Sequence, residues 1–215
     1  VLVIRDPIKR THSAYLHMAK RFHDHRSFDR IIDFDSTDPS RLKRRESQKI
    51  RAAERKGDIH TEDYEHRYED TYWNFRYISN SFYSHYLKNL YDLFDPGRVK
   101  LFLLEDLVQH PEKNMERLRQ HLNLRKSYGS SEVLDVFAGK TNPTKIPPNQ
   151  SVLFLMNLLE KLSFPGRGII KDYLNRSKPR LKREQELTLR ELFKEEYKWF
   201  QNNTDLAVTE HWALS

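Results

Sequence analysis

The chain opens on a short strand pattern that runs directly into the start of a helix. Val1 to Ile4 is an unbroken aliphatic run, which is typical of a strand buried on both faces. Asp6 can cap a helix whose first position is Pro7. A second such run, Val99 to Leu104, precedes a helix predicted from Pro111 to Leu122. Two strands that are each followed by a helix predict parallel neighbours in one sheet, and therefore an α/β fold.

The composition limits the class of protein. The 215 residues suffice for one globular domain, and 37% hydrophobic residues with 12% aromatics are too many for a disordered chain. No apolar run reaches the roughly 20 residues that a membrane-spanning helix needs. The absence of cysteine excludes disulfides and thiolate-bound metals and favours a reducing, cytoplasmic location.

The middle of the first half is dense in charge and poor in aliphatic residues. Its predicted helix lies between Asp38 and Gly57, where residues 38–56 carry eight Lys and Arg against three acidic residues. Because a helix that is polar on nearly every face packs weakly, we expect residues 24–77 to form a charged helical insertion or lid within a single domain, 1–215. His23 and His25 are two residues apart without supporting carboxylates, so we expect no metal site.

Three further segments have a predicted structure. A helix from Ile78 to Phe94 ends at an Asp-Pro-Gly turn. Residues 140–149 are expected to be an irregular loop because their prolines oppose regular pairing. Helices are then predicted at 151–162 and 183–202, the second with apolar positions at Leu187, Leu192, Tyr197 and Phe200.

Arg5 has the position of an anion-binding residue. It follows the first strand at its carboxyl end, where open α/β sheets bind ligands, and it lies beside a helix N-terminus that favours anions. Its guanidinium can grip a phosphate bidentately, and Ser13 on the following helix can donate a hydrogen bond to the same group. The alternative is structural, with Arg5 paired to a carboxylate and Ser13 solvated. Glu105 and Asp106, at the end of the second strand, suit a capping role better than that of a general base.

The run Arg5-Asp6-Pro7-x-x-Arg10-x-x-Ser13-x-Tyr15-x-His17 resembles the 3′-phosphate-binding segment of the sulfotransferase superfamily, whose sulfuryl donor is 3′-phosphoadenosine 5′-phosphosulfate (PAPS). The resemblance extends to the helix Tyr83 to Leu90, the step Leu104 to Leu107 and the closing Trp212, and it is weakest from Asp24 to Tyr72. It implies a P-loop-NTPase-like three-layer fold, helix-rich, with a parallel sheet flanked by helices.

The resemblance also implies roles for individual residues. In that family the Arg and the Ser of this segment hold the 3′-phosphate of PAPS, which points to Arg5 and Ser13. Thr144 and Lys145 lie where the family places a second contact to the nucleotide, although Ile146 replaces a frequent glycine and an ordinary Pro-rich loop is the alternative. Arg10, Tyr15 and His17 are expected to have packing or secondary roles. PAPS would be a co-substrate, and no metal is implied.

Two parts that a sulfotransferase needs are absent from these residues. The family has a Gly-rich basic loop that cradles the 5′-phosphosulfate and a base that deprotonates the acceptor, and no such loop occurs among the 6 glycines here. We therefore expect the domain to be N-terminally incomplete, its base to lie upstream of Val1, and the isolated chain to have little or no transferase activity. The acceptor would be a hydroxyl or an amine, and a basic lid suits an anionic acceptor such as a sulfated or carboxylated glycan.

The residues are compatible with two other classes of function. One is a non-catalytic module that binds a 3′-phosphoadenosine nucleotide or an acidic partner. The other is nucleic-acid binding, which the net charge of +7 and the basic helix after Asp38 suggest. The second is disfavoured because aromatic residues do not interleave with these basic residues.

Overall fold

The computed structural model describes residues 1–34, 38–61, 72–124, 145–146, 155, 158, 176–177 and 179–212. Within these ranges the helices are α1 (Pro7–Ala19), α2 (Phe28–Ile32), α3 (Pro39–Arg55), α4 (Tyr83–Leu93), α5 (Leu104–Gln109), α6 (Pro111–His121), α7 (Arg183–Leu192), α8 (Lys194–Asn203) and α9 (Val208–His211). The strands are β1 (Leu2–Ile4), β2 (Leu101–Leu103), β3 (Lys145–Ile146) and β4 (Arg176–Ser177), and 3₁₀ turns lie at Trp73–Phe75, Ser79–Ser81 and Pro96–Arg98.

The strands β1 and β2 form a parallel pair. Leu2 is opposite Leu101 and Ile4 is opposite Leu103, so the carboxyl ends of both strands lie at one edge. This confirms the predicted parallel neighbours and the helix-rich α/β character. The prediction that β1 is buried on both faces is wrong, because Val3 is 53% exposed and Leu2 is 37% exposed.

One hydrophobic core joins the two ends of the chain. It contains side chains from β1, β2, α1 to α4 and α7 to α9. Its largest fully buried members are Trp212, Tyr77, Phe75, Phe193 and Phe200. The elements that surround the carboxyl ends of β1 and β2 are therefore packed against one another rather than held only by loops.

The basic helix α3 packs more tightly than its composition predicts. Leu42, Glu46, Ile50 and Ala53 recur on one face, and all four are buried. Glu46 accepts hydrogen bonds from the N–H groups of Ile78 and Ser79, both at 3.0 Å. The expectation of weak packing is thus wrong, because a few well-placed apolar residues and one satisfied carboxylate suffice to attach the helix. The division of the chain into a domain with an insertion at 24–77 stays a prediction.

Several boundaries differ from those predicted. The helix expected from Ile78 begins at Tyr83, after a 3₁₀ turn, and the helix expected at 183–202 is two helices, α7 and α8, that meet at Phe193. In the loop predicted to be irregular, Lys145–Ile146 pairs antiparallel with Arg176–Ser177, since the flanking prolines fall outside the paired positions. The rest of that loop, and the helix predicted at 151–162 apart from helical Leu155 and Leu158, lie outside the described residues.

None of the helices in the described ranges is long and apolar enough to cross a membrane.

Candidate functional site

The turn between β1 and α1 is held by Asp6. Its Oδ1 accepts hydrogen bonds from the N–H of Ile8 at 2.8 Å and of Lys9 at 3.5 Å, and Pro7 occupies the first helical position. The hydroxyl of Tyr197 on α8 donates to the same oxygen at 3.2 Å. This confirms the predicted Asp-Pro cap and fixes the direction in which α1 leaves the strand.

Arg5 lies at the carboxyl edge of the strand pair, next to this helix N-terminus. Its side chain is 36% exposed, and its Nε is 3.8 Å from Oε1 of Glu105, which lies in the first turn of α5 after β2. That distance is longer than a hydrogen bond, and the guanidinium forms none with the described residues. The carboxylate pairing considered as an alternative is therefore present but loose, and the guanidinium donors remain available to a ligand.

Tyr83 also lies at this edge, and the sequence pattern predicts no role for it. The backbone N–H of Arg5 donates to its hydroxyl at 3.4 Å. Burial raises the pKa of Tyr83 to about 12, so its hydroxyl stays neutral and can donate a hydrogen bond at neutral pH. In the sequence, Tyr83 stands out only as the first residue of the segment Tyr83 to Leu90, which resembles the sulfotransferase superfamily. No sequence pattern connects it with Arg5, which is 78 positions away.

Ser13 lies two turns into α1 and is partly buried. Its hydroxyl has no hydrogen-bond partner among the described residues, so it too is available to a ligand. Helical spacing places Ser13 on the same face as Arg10 and His17. The structure therefore puts Arg5 at the start of α1 and Ser13 along one side of it.

Arg10 and Tyr15 of the same segment form hydrogen bonds within the fold. Nη1 of Arg10 donates to the carbonyl oxygen of Tyr77 at 3.3 Å and to the Ser81 hydroxyl at 3.0 Å. The hydroxyl of Tyr15 donates to the carbonyl oxygen of Arg26 at 3.0 Å. These contacts agree with the packing roles expected for Arg10 and Tyr15.

A small cavity, which we call the α1 cavity, lies beside α1, although Ser13 is not part of its lining. Its volume is about 150 Å³, and its lining includes Arg10 and His17 from α1 and Trp73, Arg76 and Asn80 from the segment before α4. Partial burial and the neighbouring charge of Arg21 lower the pKa of His17, which favours its neutral form. No sequence pattern indicated this cavity, because its walls come from segments about 60 residues apart.

The other predicted site residues, Thr144 and Lys145, are described only in part. Thr144 lies outside the described residues, and of Lys145 only the backbone, in β3, is described. Between His23 and His25, the Asp24 carboxylate accepts hydrogen bonds from Arg26 and from the Tyr77 hydroxyl. Within the described ranges no group of three or more His, Asp or Glu side chains could hold a metal ion.

No protein-family description, curated protein or solved structure matches the chain.

Proposed function

We propose that the chain belongs to a PAPS-dependent sulfotransferase domain with a P-loop-NTPase-like fold, and that Arg5 and Ser13 hold the 3′-phosphate of the nucleotide. One observation carries most of the proposal: a partly exposed arginine without a side-chain hydrogen bond to the described residues follows a parallel strand and adjoins the capped N-terminus of α1. Helix dipole and guanidinium both favour an anion at this place. The Tyr83 hydroxyl, next to Arg5, is a third donor.

In the proposed reaction an acceptor oxygen or nitrogen attacks the sulfur of PAPS. The bond from that sulfur to the bridging oxygen of the 5′-phosphate breaks, and 3′-phosphoadenosine 5′-phosphate leaves with the bonding electron pair. The proton of the acceptor passes to a base. Arg5 and Ser13 would act on the remote 3′-phosphate and so contribute by positioning the donor.

Titration calorimetry with 3′-phosphoadenosine 5′-phosphate tests the nucleotide site. We expect Arg5→Ala to weaken binding at least tenfold, since hydrogen bonds to a charged group contribute about 1.5–3 kcal/mol. Ser13→Ala, which removes one hydroxyl donor, should weaken it several-fold. Arg98→Ala is the matched control, because Arg98 is an exposed arginine in the 3₁₀ turn that precedes β2.

A second ligand distinguishes specific recognition of the 3′-phosphate from nonspecific attraction of anions. Adenosine 5′-phosphate lacks the 3′-phosphate, so Arg5→Ala should affect its binding little. An equal loss for both nucleotides, or no binding of the bisphosphate by the unaltered chain, would contradict the proposal.

Sulfuryl transfer requires residues beyond the proposed 3′-phosphate site. These 215 residues contain no Gly-rich basic loop after a strand, so we expect nucleotide binding without measurable transfer of labelled sulfate from PAPS. Transfer by this chain alone would show that other residues cradle the 5′-phosphosulfate.

A further inference from the structure

Helix α3 carries a basic surface that the proposed nucleotide site does not use. A groove of about 380 Å³, here called the α3 groove, is lined by Lys43, Arg44 and Arg51 from this helix and by Arg76 from the segment before α4. The three α3 cations lie on one face of the helix, away from buried Leu42 and its partners. Because Arg44 and Arg51 are seven residues apart, their positions are separated by about 10 Å along the helix axis.

The two outer cations of this groove, Lys43 and Arg44, are not paired with acidic residues of the described part of the protein. No acidic residue lines it, and neither Lys43 nor Arg44 forms an ion pair with a described residue. Lys198 on α8, by contrast, lies 2.7 Å from Glu195. A concave surface of one sign concentrates oppositely charged ligands.

Arg76 gives the groove a fixed floor. The residue is only 7% exposed, and its Nε donates to the Ser47 hydroxyl at 3.1 Å. That hydroxyl in turn donates to the carbonyl oxygen of Lys43 at 2.8 Å. A buried, hydrogen-bonded guanidinium beneath flexible surface cations distinguishes this groove from an ordinary solvated helix face.

We propose that the α3 groove binds an anionic oligosaccharide, one that carries sulfate or carboxylate groups on a hydroxyl-rich chain. The cations alternate with neutral hydrogen-bonding side chains, Ser40 and Gln48, that suit sugar hydroxyls. No aromatic ring lines the groove, so it offers no stacking surface for the bases of a single-stranded nucleic acid.

The groove also has a defined relation to α1. Arg76 lines both the α3 groove and the α1 cavity, so a bound chain could extend to the face of α1 that carries His17. Binding in the α3 groove does not depend on Arg5. The oligosaccharide site and the proposed nucleotide site can therefore fail independently.

The test is a titration with a sulfated dextran oligosaccharide at about 150 mM salt, with neutral dextran of the same length as reference. We expect the double variant Lys43→Gln/Arg44→Gln to bind the sulfated chain at least tenfold more weakly. The control double variant Arg98→Gln/Lys113→Gln removes two exposed positive charges from other elements and should change binding less than twofold. Gln48→Glu, which places a negative charge inside the groove, should also weaken binding.

Three outcomes would overturn the proposal. An equal loss of affinity in both double variants would mean that the oligosaccharide is attracted only by the net charge of the protein. Loss of binding of the sulfated oligosaccharide in the Arg5→Ala variant would mean that the oligosaccharide binds at the nucleotide site. Tighter binding of a single-stranded DNA of equal charge, with the same sensitivity to the groove variants, would make the groove a nucleic-acid site.

Discussion

Arg5 lies between a carboxylate and the place proposed for a phosphate. Glu105 is 3.8 Å away, and its second oxygen is buried without a hydrogen bond to a described residue. A phosphate must therefore compete with this carboxylate for the guanidinium, and the two anions repel each other. Glu105→Gln should strengthen binding of 3′-phosphoadenosine 5′-phosphate several-fold in calorimetry. Weaker binding would mean instead that Glu105 positions Arg5 for the ligand.

Two Asp-Pro steps start helices in different surroundings and allow a matched comparison. Asp6 is 2% exposed and receives the Tyr197 hydroxyl as well as helix N–H groups, whereas Asp38 is exposed and caps α3 through the N–H of Arg41 at 2.7 Å. Loss of a cap costs about 0.5–2 kcal/mol. Asp6→Ala should cost about 1–3 kcal/mol more than Asp38→Ala, because it also leaves a buried hydroxyl without its acceptor.

Urea unfolding of the two alanine variants measures this difference. Equal free energies of unfolding would show that the Tyr197 contact adds nothing to the cap.

Glu196 on α8 is a buried carboxylate with a pH-dependent effect. Its Oε1 accepts a hydrogen bond from the N–H of Ser84 at 2.8 Å at the start of α4, and the Ser84 hydroxyl donates to its other oxygen. Burial outweighs these bonds and raises the pKa of Glu196 from 4.5 to about 7. Because the folded state favours the protonated form, the stability that this group contributes is complete below pH 4.5 and is lost as the pH rises through about 7.

Glu196→Gln should remove that loss. Between pH 5 and pH 8 the free energy of unfolding should fall further in the unaltered protein than in the variant, by at most about 3 kcal/mol at about 1.4 kcal/mol per pKa unit. The measurement is urea unfolding at both pH values. Parallel pH profiles would contradict the assignment.

At the scale of elements, the position of a leucine on its helix decides how much it contributes to the free energy of unfolding. Leu42 on polar α3 is fully buried, whereas Leu187 on α7 is 56% exposed although it was expected among the apolar positions. Leu42→Ala should lower the free energy of unfolding by about 2–5 kcal/mol, the usual cost of emptying a buried leucine site. Leu187→Ala is the control and should change it by less than about 0.5 kcal/mol. Similar losses in both would mean that α3 is not part of the core.

The sequence predicted the starts of elements better than their surroundings. Asp6-Pro7 marks a helix start through local chemistry, and the apolar runs marked both strands, so Arg5 could be placed at the carboxyl edge of the strand pair. Leu187 was misplaced because the predicted helix is broken at Phe193, and Leu189 and Leu192 define the buried face of α7. The Tyr83 hydroxyl and the α1 cavity could not be predicted, since they depend on contacts between distant segments.

At the scale of the whole molecule, the C-terminal helices hold the first half together. Three hydrogen bonds make this connection: Tyr197 donates to Asp6, Glu196 accepts from Ser84, and Gln185 donates to Asp29 at 2.7 Å. A chain that ends at residue 178 should therefore lose its near-UV circular dichroism and its cooperative unfolding transition. Tyr197→Phe, which removes one hydrogen bond and keeps the ring, should retain both. A cooperative transition in the shortened chain would show that the first half folds without these helices.

The contact between Asp6 and Tyr197 also bears on how the protein folds during synthesis, because the two residues are 191 positions apart. At ribosomal rates of about 5–20 residues per second, α1 must wait on the order of 10–40 s for the partner that completes its cap. During that interval the apolar side chains that will face α7 to α9 have no partner. The nascent chain is then a candidate client for chaperones, and its yield should depend on translation speed more than that of a protein with local contacts.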